Sequence, residues 1–153
     1  MIRILVADDN EVLRWGLVQS LSSEPDLVVV AEVDEAGAAV AEYDRVMPDV
    51  LVLDLYMPGG GGWFALEQVL ERHPDARVVI LSAADDVATV DAVIARGASA
   101  HVSKSDGITR LLEVLRSVAG AAPLEVGVSA SSPDRSGGPQ APSSAGGRDA
   151  GTR

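Results

Sequence analysis

Apolar residues along the chain follow two alternating rhythms. Short unbroken runs occur at Ile2–Ala7, Leu27–Val33, Val50–Leu55, Arg77–Leu81 and Ala100–Ser103. They are aliphatic or β-branched, as strands covered on both faces are. Between them lie longer segments in which apolar residues return every three or four positions: Glu11–Ser22, Glu35–Val46, Trp63–Arg72, Val87–Arg96 and Gly107–Val118. These predict amphipathic helices. Pro25, Pro48 and Pro74 each follow a helical pattern and stop it. Gly97 and Gly120 stand where a left-handed helix cap is common. Strict β-α alternation predicts an α/β fold, a doubly wound five-stranded parallel sheet with helices on both faces.

Near Gly120 the pattern breaks. Gly, Ser, Pro and Ala dominate the C-terminal residues, as in Ser136-Gly137-Gly138-Pro139. Such a segment buries too little apolar surface to offset the entropy of ordering. The expected division is therefore a folded domain over 1–121 and a disordered tail over 122–153.

Composition then removes whole classes of function. Aromatic residues are only 3% of the chain, so the core is aliphatic. A net charge of -11 argues against a nucleic-acid surface, which needs clustered Lys and Arg. With no cysteine, disulfides, thiolate catalysis and zinc-thiolate sites are excluded. No apolar stretch approaches the ~20 residues of a membrane helix. The N-terminus lacks a signal peptide's basic start and cleavage site. The expectation is a cytoplasmic protein without membrane or nucleic-acid partners.

Ligands of open parallel sheets bind beyond the carboxyl ends of the strands. Asp8 and Asp9 end the first apolar run, Asp54 follows the core of the third, Ser82 the fourth and Lys104 the fifth. Every strand but the second thus delivers a polar residue to one rim. Three carboxylates in one crevice carry about -3, tolerable only with protonation or a bound cation. Mg²⁺ suits oxygen ligands of this kind. Together with the Lys104 ammonium it brings the sum to about zero, and the site then admits a phosphoryl group. A carboxylate is itself a competent phosphoryl acceptor.

Asp8-Asp9, the segment from Asp54 through Met57-Pro58 to Gly62, Ser82-Ala83, and Gly97-Ala-Ser-Ala-His-Val-Ser-Lys104 occur in order and at characteristic spacing. In these features, over about residues 1–120, the chain resembles the receiver domain of bacterial response regulators. Leu13-Arg14-Trp15-Gly16-Leu17 adds a likeness to the subfamily that usually carries a C-terminal helix-turn-helix, which is not seen here. The resemblance implies a flavodoxin-like strand order, 2-1-3-4-5, and phosphorelay signalling. Asp54 would be the phosphoacceptor. Asp9 would be a direct Mg²⁺ ligand, Asp8 a ligand largely through water, and the Tyr56 carbonyl a further one, with Asp54 itself completing the set. Lys104 and Ser82 would bind phosphoryl oxygens, joined by the Ala83 amide. The donor would be a sensor histidine kinase or phosphotransfer protein. The chain would be no enzyme beyond self-phosphorylation and slow autodephosphorylation. Two positions depart from the family pattern. Ser105 follows Lys104 where many receivers have a cis-proline, which leaves that bond trans or strained. His101 stands where the resemblance implies a switch Tyr or Phe.

Plainer readings stand beside these. Asp8-Asp9 alone suits a helix cap, Asp54 a solvated strand end, and Ser82 a turn. The Gly59–Gly62 run lacks the Gly-Lys-Ser/Thr ending of a nucleotide loop and reads as a flexible loop. His73 reads as an ordinary surface residue. Two other functions compete: a haloacid-dehalogenase-type phosphatase, which normally has Asp-x-Asp on its first strand and a cap domain, and a flavodoxin-like cofactor binder, which wants a Ser/Thr-rich first loop. On the first helix, Leu13, Leu17 and Leu21 mark the core face. Trp15 and Val18 then fall on the outer side, a candidate surface for a weak homodimer.

Overall fold

Strand β1 (Ile2–Ala7) sits at the middle of the fold because every second side chain serves a different core. Leu5 and Ala7 join one apolar cluster; Ile4 and Val6 join another on the opposite face. This is the two-residue period of a strand covered on both sides. β3 (Val50–Leu53) divides in the same way, Leu51 and Leu53 to one face, Val50 and Val52 to the other. The computed structural model describes residues 1–120, and the expected tail over 122–153 lies outside them.

Around these two strands run α1 (Glu11–Ser22), β2 (Leu27–Val33), α2 (Ala36–Val46), α3 (Gly61–Arg72), β4 (Val78–Ser82), α4 (Val87–Ala95), β5 (Ala100–Ser103), a 3₁₀ turn (Lys104–Asp106) and α5 (Ile108–Gly120). The strands pair in parallel in the order β2-β1-β3-β4-β5. Leu66, Val69 and Val93 from α3 and α4 fill the core shared with α2; Leu21, Leu111 and Leu115 from α1 and α5 fill the other. Among the described residues, no helix is long and apolar enough to cross a membrane.

Two expectations need correction. On α1, Leu21 is fully buried, but Leu13 is 49% exposed, and Val18 packs with Leu17 against the core. A four-residue step overshoots one turn by about 40°, so a Leu13–Leu17–Leu21 line drifts off the core by about 80°. Trp15 alone of the expected outer pair faces solvent, at 65% exposure.

The glycine run is likewise more than a flexible loop. Gly59, Gly60 and Gly61 adopt positive φ of 81°, 102° and 76°, which side chains rarely tolerate. Gly61 and Gly62 are already the first turn of α3. A Cβ on Gly62 would lie 2.2 Å from the carbonyl oxygen of Asp54, so this helix start rests directly on the end of β3.

Replacing Gly62 by Ala should therefore destabilise the domain by about 1–3 kcal/mol, as overpacking does. Gly16→Ala in α1, where an added Cβ meets nothing within 4 Å, should instead be neutral or stabilise by up to about 1 kcal/mol. Urea denaturation of the two variants checks the contrast.

Candidate functional site

The last hydrogen bonds of the sheet set the acidic residues in place. Asp8 donates its N–H to the Val33 carbonyl at 3.1 Å, and Asp54 donates to Ala7 at 2.9 Å. Both side chains then fall at the carboxyl ends of neighbouring strands and are almost fully buried, 3% and 4% exposed, whereas Asp9 is exposed. Carboxylate oxygens of Asp8, Asp9 and Asp54 lie within 4.8 Å of one another. From beyond β5, the Lys104 ammonium reaches both buried acids, 2.9 Å from Asp8 Oδ2 and 3.1 Å from Asp54 Oδ2.

The second oxygen of each buried carboxylate also has a partner. Asn10 donates its N–H to Asp8 Oδ1 at 2.8 Å, and Tyr56 donates its N–H to Asp54 Oδ1 at 3.3 Å. The Asn10 side chain caps α1 by accepting from Leu13 N–H at 2.9 Å. Helix capping therefore falls to Asn10, which leaves both aspartates to the crevice. Sequence reasoning missed this residue and also Arg14. The Arg14 guanidinium donates to the Asp8 carbonyl oxygen at 2.8 Å and to Glu32 at 3.0 Å, tying α1, β1 and β2 together beneath the site. An arginine on the site-facing end of α1 was visible, but not its target.

Burial pushes the Asp54 carboxyl up from its ordinary range, helped by the neighbouring Asp8 charge and opposed by the Tyr56 N–H and Lys104. Burial alone would lower Lys104; its hydrogen bonds to Asp8 and Asp54 outweigh that and hold it above the usual lysine value. One ammonium stabilised by two carboxylates cannot fully compensate both. Three carboxylates against one ammonium leave an excess of two negative charges. A hard divalent cation with oxygen ligands matches both this charge and this donor set.

Ser82 ends β4 fully buried, and its hydroxyl accepts from Ala84 N–H at 3.1 Å, a local turn contact. Ala83 lies exposed beside it. Across from this loop, His101 Nε2 is 2.9 Å from the Ala84 carbonyl oxygen. A carbonyl only accepts, so Nε2 carries the proton. The Lys104–Ser105 bond is trans, with no cis peptide among the described residues. His73 lies outside the site at the end of α3. It bonds Asp44 at 2.7 Å and packs its ring against Tyr43, centroids 4.9 Å apart, a part-exposed residue that ties the end of α3 to α2. Beside Asp8 and Lys104 opens an apolar groove of about 310 Å³ between α1 and α5, walled by Val12, Leu13, Leu17, Ile108 and Leu111.

The response regulator receiver domain family matches residues 4–116. The transcriptional regulatory protein DegU of Brevibacillus brevis is 34% identical over 118 residues, 77% of this chain and 50% of DegU. The chain spans about half the length of several curated relatives of this kind. The chemotaxis protein CheY of Listeria monocytogenes is 34% identical over 119 residues, 78% of this chain and 99% of CheY. A chain of the solved CheX–CheY–BeF₃–Mg²⁺ complex from Borrelia burgdorferi superposes with a TM-score of 0.73 at 25% identity, covering 76% of this chain and 88% of that one.

An ionised Asp54 whose carboxyl is raised is less favourable folded than unfolded at neutral pH. Without divalent cations, Asp54→Asn should therefore raise the melting temperature at pH 7. The gain should vanish as pH falls below the ordinary carboxylate value, where the wild type also becomes neutral. Mg²⁺ at a hundredfold over its dissociation constant should stabilise the wild type by about 2.7 kcal/mol and Asp9→Ala much less. Thermal melts across pH and Mg²⁺ concentration measure both.

Proposed function

We propose that Asp54 is the phosphorylated residue of this chain, which belongs to the response regulator receiver domain family and has a phosphoacceptor role in two-component signalling. The observation that carries the assignment is the Lys104 ammonium bridging Asp8 and Asp54 at 2.9 and 3.1 Å. Both buried carboxylates, Asp8 and Asp54, face this fixed positive charge, and the likeness to the family makes Asp54, at the end of β3, the acceptor of the two.

In this reading a carboxylate oxygen of Asp54 attacks phosphorus in line as the bond to the donor's nitrogen breaks. The donor group departs with the bonding electrons, and an acyl phosphate forms on Asp54. Such transfer depends mainly on positioning and charge neutralisation. Asp8, Asp9, Asp54 and the Tyr56 carbonyl would hold Mg²⁺, which supplies the charge that makes an anionic donor tolerable in an acidic crevice. Lys104 exchanges its contact with Asp54 for one with a phosphoryl oxygen while keeping Asp8. The Ser82 hydroxyl, freed from Ala84 N–H, and the Ala83 amide complete the cradle. Slow hydrolysis of the acyl phosphate returns the chain to its starting state. It is then a switch and turns over no substrate of its own.

The donor is a histidine kinase or phosphotransfer protein in the cytoplasm, and the apolar groove beside Lys104 suits an approaching helix. A phosphatase of the haloacid-dehalogenase type fits less well, because the first-strand carboxylates are adjacent. The charge of -11 makes a protein, not nucleic acid, the better output partner. Trp15, with Val12 exposed one turn before it, also suits weak self-association. Val18 is part of the core and takes no part.

Acetyl phosphate with Mg²⁺ should add one phosphoryl group to the wild type and none to Asp54→Asn, as read by intact mass. Equal labelling of the variant would move the acceptor elsewhere, and continuous turnover of the donor would favour the phosphatase. In sedimentation experiments with beryllofluoride, Trp15→Glu should weaken any dimer at least about tenfold, the loss expected of an interface tryptophan.

A further inference from the structure

Lys104 is delivered to the crevice by a single 3₁₀ turn, Lys104–Asp106, that contains no buried residue. Packing does not fix this turn, so hydrogen bonds must. They converge on Ser103, the last residue of β5, only 7% exposed. Its hydroxyl has one proton and two lone pairs, and three partners surround it. Ser105 N–H donates to Ser103 Oγ at 3.2 Å, Ser105 Oγ lies at 2.9 Å, and Asp85 Oδ2 lies at 3.3 Å. A carboxylate only accepts, so the Ser103 proton goes to Asp85 and Ser105 donates twice. In return the Asp106 carboxylate accepts from Ser103 N–H at 3.1 Å, which closes a capping box around Lys104.

We propose that Ser103 is a positioning residue for phosphoryl transfer, holding the Lys104 turn through Ser105 and Asp106 and joining it, through Asp85, to the loop between β4 and α4. Ser103 and Ser105 act as a matched pair. Proline at position 105 has no N–H to give, so the Ser103 acceptor would lose that partner. The serine after the lysine is thereby part of a hydrogen-bonded turn that locks a trans peptide. Ser103 and His101, two residues apart on one side of β5, hold successive residues of the same loop, Asp85 and Ala84. Lys104 and the Ser82-Ala83 pair are thus held in register by one strand edge. The inference rests on the assignment of Asp54 and Lys104 above.

Labelling by saturating acetyl phosphate with Mg²⁺ should slow about tenfold in Ser103→Ala, the effect of a loosened positioning group, and recover to within about twofold in Ser103→Thr, which restores the hydroxyl. In a Lys104→Ala background, Ser103→Ala should cause no further slowing. In metal-free protein, the Ser105 amide should exchange with solvent about tenfold faster in Ser103→Ala and at the wild-type rate in Ser103→Thr. Asp106→Ala opens the same box from its exposed side and should release the Ser103 amide even if Ser103→Ala folds poorly. Unchanged labelling and exchange in Ser103→Ala, or a full slowing on top of Lys104→Ala, would overturn the proposal. A wild type that takes no label would overturn the Asp54 assignment instead, and the exchange measurements would still decide the clamp.

Discussion

Two carboxylates buried side by side must share a cation, and much of this domain's architecture serves that need. Asp8 and Asp54 end adjacent parallel strands, so the sheet itself forces them together. A single ammonium from Lys104 spans both. Burying charge is expensive unless every group is paired and hydrogen-bonded. The Asn10 and Tyr56 amides satisfy the remaining oxygens. The raised Asp54 carboxyl records what is still uncompensated. An acidic centre left short of positive charge suits a pocket meant to gain a cation and then a phosphoryl group.

Much of this was legible in the chain. Parallel strands buried on both faces leave unbroken aliphatic runs, and the polar residue closing each run marks the rim; Asp8, Asp54, Ser82 and Lys104 were all readable that way. Helix α1 was less legible, because a four-residue repeat is not the helical period. Leu13 and Val18 exchange their expected environments for that reason. Gly62 was read as loop, since its requirement is a close approach between segments distant in pairing, and a single chain does not display that. Arg14, Asn10 and Ser103 act by hydrogen bonds to backbone atoms or loop residues, which leave no periodic signature. The departures at His101 and Ser105 were visible, but their partners, Ala84 and Ser103, emerged only in three dimensions.

The two sides of Asp54 are held by different physics. Behind it lie α3 and its glycine contact, an arrangement of close-packed atoms. Towards β5 lie polar links, from Ser82 to Ala84, from His101 to Ala84 and from Ser103 to Asp85. Close-packed contacts resist displacement at short range, whereas hydrogen bonds can exchange partners at small net cost. Helix α4 follows the loop that these links restrain and fully buries only Val93.

The contact between Gly62 and the Asp54 carbonyl thereby works as an anvil. The peptide of Asp54 is backed by the first turn of α3, at a spacing that one added methyl group would close. A single missing methyl group thus lets a helix begin directly against the end of a strand.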